Sequence, residues 1–219
     1  MTFWYRIGHS LSNALAKGYL SQRVVNPEII SRCRENGGML IASNHVSFLD
    51  PPLIGTAFDE PLHFFARKTL FDNPVSSYLY PRVNAIPVDQ QKPELSTLRY
   101  VISLLRSGEK VVIFPEGERS PDGTMKEKAA PGIGMIVSKA RVPVLPMRIF
   151  GAEKAMPRGS TLIRPCPVTI MAGEPVDCFD LIDDESLSTK QRYEKIADRI
   201  MGAIRELHLP AWERADKGG

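Results

Sequence analysis

The chain has 219 residues, 43% hydrophobic and 24% charged, with a net charge of +3. This length suits one domain, and this composition a packed core rather than a disordered chain. The charge is too small to argue for nucleic acid as a partner and fits an acidic membrane surface or a phosphorylated ligand.

Residues 3 to 20 form an amphipathic helix. Phe3, Trp4, Ile7, Leu11, Ala14, Leu15 and Gly18 share an arc of roughly 120° at the helical period, with Arg6, His9, Asn13 and Lys17 opposite. Two readings stand: a helix docked on the core, or one lying in a membrane interface, where aromatic and basic residues favour the headgroup region. From about residue 25 strands alternate with helices. "GGMLIAS" (37–43) is an apolar strand, and "DPPLIGTAF" (50–58) opens a helix that Asp50 can cap and Pro51 can begin. "LHFFA" (62–66) is a strand, 72–83 holds a short helix, and "NAIPVD" (84–89) is a strand. A helix over 93–108 is apolar at 95, 98, 101, 102 and 105 and stops at Gly108. "KVVIFP" (110–115) is a buried strand, 132–140 a helix, and 142–151 and 167–173 strands. The helix over 188–207 carries Tyr193, Ile196, Ala197, Ile200, Ile204 and Leu207 on one face.

This order predicts an α/β fold: a layered, largely parallel or mixed sheet flanked by helices, preceded by an N-terminal amphipathic helix. The expected division is a membrane-association helix over 1–24, a main domain over 25–212 and a frayed tail over 213–219. The three cysteines (Cys33, Cys166, Cys178) are scattered without a Cys-x-x-Cys pair and read as reduced thiols. No apolar run approaches the ~20 residues that span a bilayer, and the first residues lack the order of a signal peptide.

Ligands of α/β folds gather at the carboxyl ends of strands. Two strands end in polar stretches there, "NHVSFLD" (44–50) and "PEGERS" (115–120). His45 and Asp50, five apart, meet only if the chain turns between them, as a strand-to-helix connection requires. A carboxylate at the start of that helix can accept backbone N–H bonds and hold an imidazole N–H. A neutral imidazole so held is a competent general base. The alternative is a turn histidine beside a plain helix cap. In the second stretch Gly117 permits close approach of a ligand. Arg119 offers a fork for phosphate, and Glu116 an acceptor for a hydroxyl; the alternative is a solvated charged turn. Arg67 and Lys68 follow a strand and precede a helix, either as phosphate ligands or as a surface basic pair.

Together these stretches resemble the glycerolipid acyltransferase family, of the lysophosphatidate (1-acylglycerol-3-phosphate) acyltransferase type. Its first motif, Asn-His-x4-Asp, is matched by Asn44, His45 and Asp50. Its third is matched by Phe114, Pro115, Glu116, Gly117, Arg119 and Ser120, with Glu118 in place of Thr. Arg67, Leu70, Phe71 and "AIPVDQ" resemble the second, and Val142, Pro143 and Pro146 the fourth, so the likeness runs from about residue 38 to 150.

The resemblance implies that His45 deprotonates an acceptor hydroxyl, that Asp50 orients it, and that the oxygen attacks an acyl thioester directly. Asn44, Arg67, Lys68, Glu116, Gly117 and Arg119 form the implied substrate-binding set. The implied partners are a lysophospholipid acceptor, acyl-CoA or acyl-carrier protein as donor, and a membrane surface, with no metal or bound cofactor. It also implies attachment to the cytoplasmic face of the inner membrane, peripheral or monotopic. Two departures stand out. Gln90 replaces a usual Arg, and Glu118 adds negative charge beside Arg119; these make another lysolipid acceptor the alternative, while Arg67, Lys68 and Arg119 keep the phosphorylated 1-acyl-sn-glycerol-3-phosphate as the expected one. Other readings are a thioesterase or lipid hydrolase using the same His-Asp pair, and a non-catalytic lipid-binding protein.

Overall fold

The computed structural model describes residues 2–33, 37–89, 94–120, 123–130 and 132–210. Its centre is a seven-stranded sheet in the order β1-β7-β6-β2-β5-β3-β4. The strands are β1 (Arg23–Val25), β2 (Met39–Ser43), β3 (Leu62–Arg67), β4 (Ala85–Val88), β5 (Lys110–Ile113), β6 (Val144–Phe150) and β7 (Thr169–Ala172). From β6 to β4 all neighbours are parallel; β7 runs antiparallel to β6, and β1 runs parallel to β7. The helices are α1 (Phe3–Ala14), α2 (Pro27–Arg32), α3 (Asp50–Gly55), α4 (Pro74–Leu79), α5 (Leu95–Arg106), α6 (Gly132–Ala140), α7 (Ala152–Ala155), α8 (Phe179–Asp183) and α9 (Thr189–Arg205).

The central strands are buried on both faces, as parallel strands covered by helices must be. All residues of β2 and β5 are buried. Successive side chains point to opposite faces. Leu40, Ala42, Val111, Ile113 and Val144 pack with residues of α5, α6, α8 and α9. Met39, Ile41, Val112, Leu145, Met147 and Ile149 pack with the N-terminal helix region, α2, α3 and α7. On the first side Gly134 lets α6 cross α9 closely, since a Cβ there would lie 2.0 Å from the Tyr193 carbonyl oxygen. A capping box at Ser188 and Gln191 starts α9.

The predicted main elements are present, with shorter boundaries. The strand β1 and the short helices α2, α7 and α8 were not anticipated. The expected frayed tail lies outside the described residues.

Helix α1 is docked, but by the face opposite its apolar arc. It runs on through a π-helical turn at Leu15–Tyr19. Tyr5, Ala16 and Leu20 are buried. The Tyr5 hydroxyl accepts from Leu62 N at 2.9 Å, and burial raises its pKa. His9 Nε2 donates to the Phe58 carbonyl at 3.1 Å. Phe3 (71% exposed), Trp4 (37%), Ile7 (37%) and Leu11 (67%) face outward. Amphipathicity located the stripe; contacts with α3 and β3 decide which way it points.

Candidate active site

Residue His45 follows the last residue of β2 by two positions, between β6 and β5 in the sheet. The chain leaving β2 goes on to β3 on one side, while the chain leaving β5 returns to β6 on the other. Such a reversal of strand order opens a crevice at the carboxyl ends, and both polar stretches lie there.

The turn between β2 and α3 brings His45 and Asp50 together, with His45 Nδ1 2.8 Å from Asp50 Oδ2. The same oxygen accepts Val46 N at 2.7 Å and Ser47 N at 2.8 Å. Asp50 therefore organises the turn before the helix. The expectation that it caps α3 is corrected: Leu49 is the N-cap, and no side chain caps the helix. Pro51 and Pro52 occupy the first turn, where a missing N–H is tolerated. Asp50 is fully buried, and its Oδ1 has no hydrogen-bond partner among the described residues. The imidazole is 15% exposed and stacks on Phe114, with centroids 4.1 Å apart and planes 18° from parallel. A carboxylate only accepts, so Nδ1 carries the hydrogen, and Nε2 is the nitrogen that bears the lone pair in the neutral form of the ring.

Two residues of the expected substrate-binding set are committed to the fold instead. Asn44 is 3% exposed; its Oδ1 accepts Ile149 N at 2.8 Å and its Nδ2 donates to the Ile149 carbonyl at 3.0 Å. It reads like a strand residue that ties the end of β2 to β6. Glu116 is also 3% exposed, with Oε1 accepting His45 N at 2.8 Å and Oε2 accepting Lys126 N at 3.1 Å. Burial pushes its carboxyl above the ordinary value, and the two backbone N–H groups partly counter this. Glu116 thus holds the peptide that carries the imidazole. Ser120 N donates to the His45 carbonyl at 2.8 Å, so one segment grips that residue at both ends.

Gly117 is exposed with φ +76, a left-handed conformation that favours glycine. It closes the turn through Gly117 N to the Phe114 carbonyl at 3.1 Å. Arg119 is half-buried; desolvation lowers its pKa, followed by the positive charges of Arg158 and Arg67, with Asp50 opposing. Arg67 ends β3 and is exposed. Lys68 pairs with Glu94 at 3.1 Å on the exposed surface. Neither reading from sequence includes this ion pair, and no described contact brings Lys68 to the imidazole. Glu118 lies 2.8 Å from Lys126 Nζ, so its charge is matched locally and does not oppose Arg119 unpaired. Gln90 lies outside the described residues.

The sequence reading missed Phe114 as the surface that the imidazole stacks on, Lys126 as the partner of Glu118, and Arg158. Only Phe114 had a local signal, sitting at the end of the β5 stretch. Among the described residues no group of three or more His, Cys, Asp or Glu side chains is placed to hold a metal ion. The arrangement can take a proton from a ligand hydroxyl beside a cationic rim.

Comparison with known proteins gives a consistent result. Residues 22–150, more than half of the chain, match the family model described as Acyltransferase. A 1-acyl-sn-glycerol-3-phosphate acyltransferase of Bacillus subtilis is 27% identical over 173 residues, which are 78% of this chain and 82% of that protein. A chloroplastic 1-acyl-sn-glycerol-3-phosphate acyltransferase of Brassica napus is 30% identical over 149 residues, 66% of this chain but 43% of the plant protein. The crystal structure of the 1-acyl-sn-glycerophosphate acyltransferase of Thermotoga maritima superposes with a TM-score of 0.68 at 26% identity, covering 94% of this chain and 81% of that one.

Proposed function

Because the chain belongs to the acyltransferase family, we propose that this enzyme moves a fatty acyl group from a thioester donor to the hydroxyl of 1-acyl-sn-glycerol-3-phosphate, giving phosphatidic acid. The donor is acyl-CoA or acyl-carrier protein. The observation that carries this reading is the 2.8 Å contact of His45 Nδ1 with the fully buried carboxylate of Asp50.

In this mechanism Nε2 of His45 takes the proton of the acceptor hydroxyl as its oxygen attacks the thioester carbonyl carbon. The tetrahedral adduct collapses, the C–S bond breaks, and the sulfur leaves as a thiol with the proton returned by the imidazolium. An ester remains on the acceptor. Asp50 stabilises the transient imidazolium, and no enzyme nucleophile is acylated. Arg119 and Arg67 hold the acceptor phosphate, and Gly117 lets the glycerol backbone approach. Holding two large substrates in register supplies much of the remaining acceleration.

The outward stripe of α1 supports peripheral attachment to a membrane, on the cytoplasmic leaflet that faces the thioester donors. Among the described residues no helix is long and apolar enough to cross a bilayer. Phe3, Trp4, Ile7 and Leu11 present apolar surface, with Arg6 and Lys17 also exposed on the helix region. An interfacial helix combines apolar burial with attraction of basic residues to anionic headgroups. Replacing Ile7 and Leu11 together by aspartate is expected to lower liposome partitioning at least ~100-fold, since each large aliphatic side chain contributes about 1.5–3 kcal/mol when buried. Thermal stability should hold, because both side chains are exposed. Equal partitioning of parent and variant would remove α1 from the interface.

The reaction is tested with purified protein on a panel of lysolipids presented in liposomes with both donor types. Acylated lysophosphatidate and one equivalent of thiol are expected. Free fatty acid without acylated lipid would make the enzyme a hydrolase, and acylation of a phosphate-free lysolipid alone would change the acceptor class.

A further inference from the structure

The cationic rim has a member that lies beyond residue 150, where the family match ends. Residues 157–160 read Pro-Arg-Gly-Ser. Ser160 N donates to the Pro157 carbonyl at 2.9 Å, and Gly159 has φ +86. This is a four-residue turn whose third position requires a positive φ, with Arg158 at its tip. The turn is fixed next to the His-Asp turn, because Ser47 Oγ donates to the Met156 carbonyl at 3.0 Å. From there Arg158 Nη1 donates to the Arg119 carbonyl at 3.4 Å, and the next residue, Ser120, is bonded to His45.

We propose that Arg158 is a third phosphate-binding arginine, which completes with Arg67 and Arg119 a clamp for the phosphate monoester of the acceptor. The inference rests on the reading above that the acceptor carries a phosphate. The positive charges of Arg158 and Arg67 both act on the Arg119 guanidinium, and both act on the Glu118 carboxylate as well. Arg158 and Arg67 are therefore each within electrostatic reach of Arg119 and of Glu118. The nearby carboxylate, Glu118, is matched by Lys126 at 2.8 Å. Like charges gathered in this way favour an anionic ligand, and a phosphate monoester brings about −1.5 to −2 near neutral pH with three acceptor oxygens. Guanidinium forks match those oxygens in pairs. Arg158 lies on the connection from β6 to β7 and Arg67 ends β3, and β2 and β5 stand between β6 and β3 in the sheet.

The test compares Arg158→Ala and Arg158→Lys with the parent in two assays: acyl transfer to lysophosphatidate, and binding of glycerol 3-phosphate by calorimetry. Losing one charge-assisted contact should raise the lysophosphatidate KM and the glycerol 3-phosphate Kd roughly tenfold, with kcat changed less than about threefold. Lysine should restore part of the loss, as a cation without the fork. A structural role would instead lower kcat and thermal stability, without rescue by lysine. Unchanged KM and Kd in Arg158→Ala would overturn the proposal. Weakened glycerol 3-phosphate binding in an enzyme that does not acylate lysophosphatidate would leave the clamp standing and remove the acceptor assignment instead.

Discussion

Replacing His45 by alanine is expected to lower acyl transfer by about 10³-fold and leave the fold intact, because positioned general bases contribute ~10²–10⁴-fold. The fold should survive because the ring is not a keystone of the core. It is 15% exposed and stacks on Phe114. Without it, Asp50 Oδ2 still accepts Val46 N and Ser47 N, and Glu116 still accepts the backbone N–H of residue 45. The check is initial-rate transfer to lysophosphatidate, with a melting curve on the same preparation. Activity near that of the parent, in a folded variant, would remove the imidazole from the chemistry. Residual turnover should reflect positioning of the two substrates alone.

The second large effect is at Asp50, where two substitutions separate two jobs. Asp50→Ala strands three donors that now share one oxygen: His45 Nδ1, Val46 N and Ser47 N. A buried donor left without a partner costs about 1–3 kcal/mol. Allowing for relaxation, a loss of roughly 2–4 kcal/mol is expected, with transfer reduced about as far as in His45→Ala. Asp50→Asn is subtler. Its amide oxygen can occupy the position of Oδ2 and keep all three bonds. Its NH2 then takes the place of Oδ1, which has no hydrogen-bond partner among the described residues. The turn should persist with a smaller stability loss, while the negative charge that steadies the imidazolium is gone. A fall in kcat of at least ~10²-fold, with a melting temperature nearer the parent than that of Asp50→Ala, is therefore expected. An active Asp50→Asn enzyme would reduce Asp50 to a brace for the turn.

The residues that could be read from sequence are those whose chemistry and backbone geometry coincide. His45 and Asp50 required a turn, and the strand-to-helix connection provides it. Gly117 reads as a place for close approach of a ligand, and the left-handed backbone it adopts is one that glycine takes without strain. Sequence does not say which way a side chain points. Asn44 and Glu116 have the right chemistry to bind a hydroxyl, yet both point inward and satisfy backbone groups of Ile149, His45 and Lys126. The same limit applies to α1, where an apolar arc marks a face but not what it meets. Strand β1 has three residues, too few for period-2 alternation to register, and it exists through pairing with β7. Arg158 belongs to a turn that no motif includes, brought to the rim by the connection from β6 to β7.

The grip of one segment on both ends of residue 45 bears on when the enzyme becomes active during its own synthesis. His45 N is bonded to a carboxylate 71 residues further along the chain. Closing so long a loop is entropically costly and is repaid only when β5 settles beside β2. Until then the imidazole has no fixed bearing, whatever Asp50 does locally. Under the proposed reaction, a nascent or partly folded chain is expected to be a poor acyl-transfer catalyst until this contact has formed. On that reading, competence and substrate selectivity are acquired in one step, when the two stretches meet.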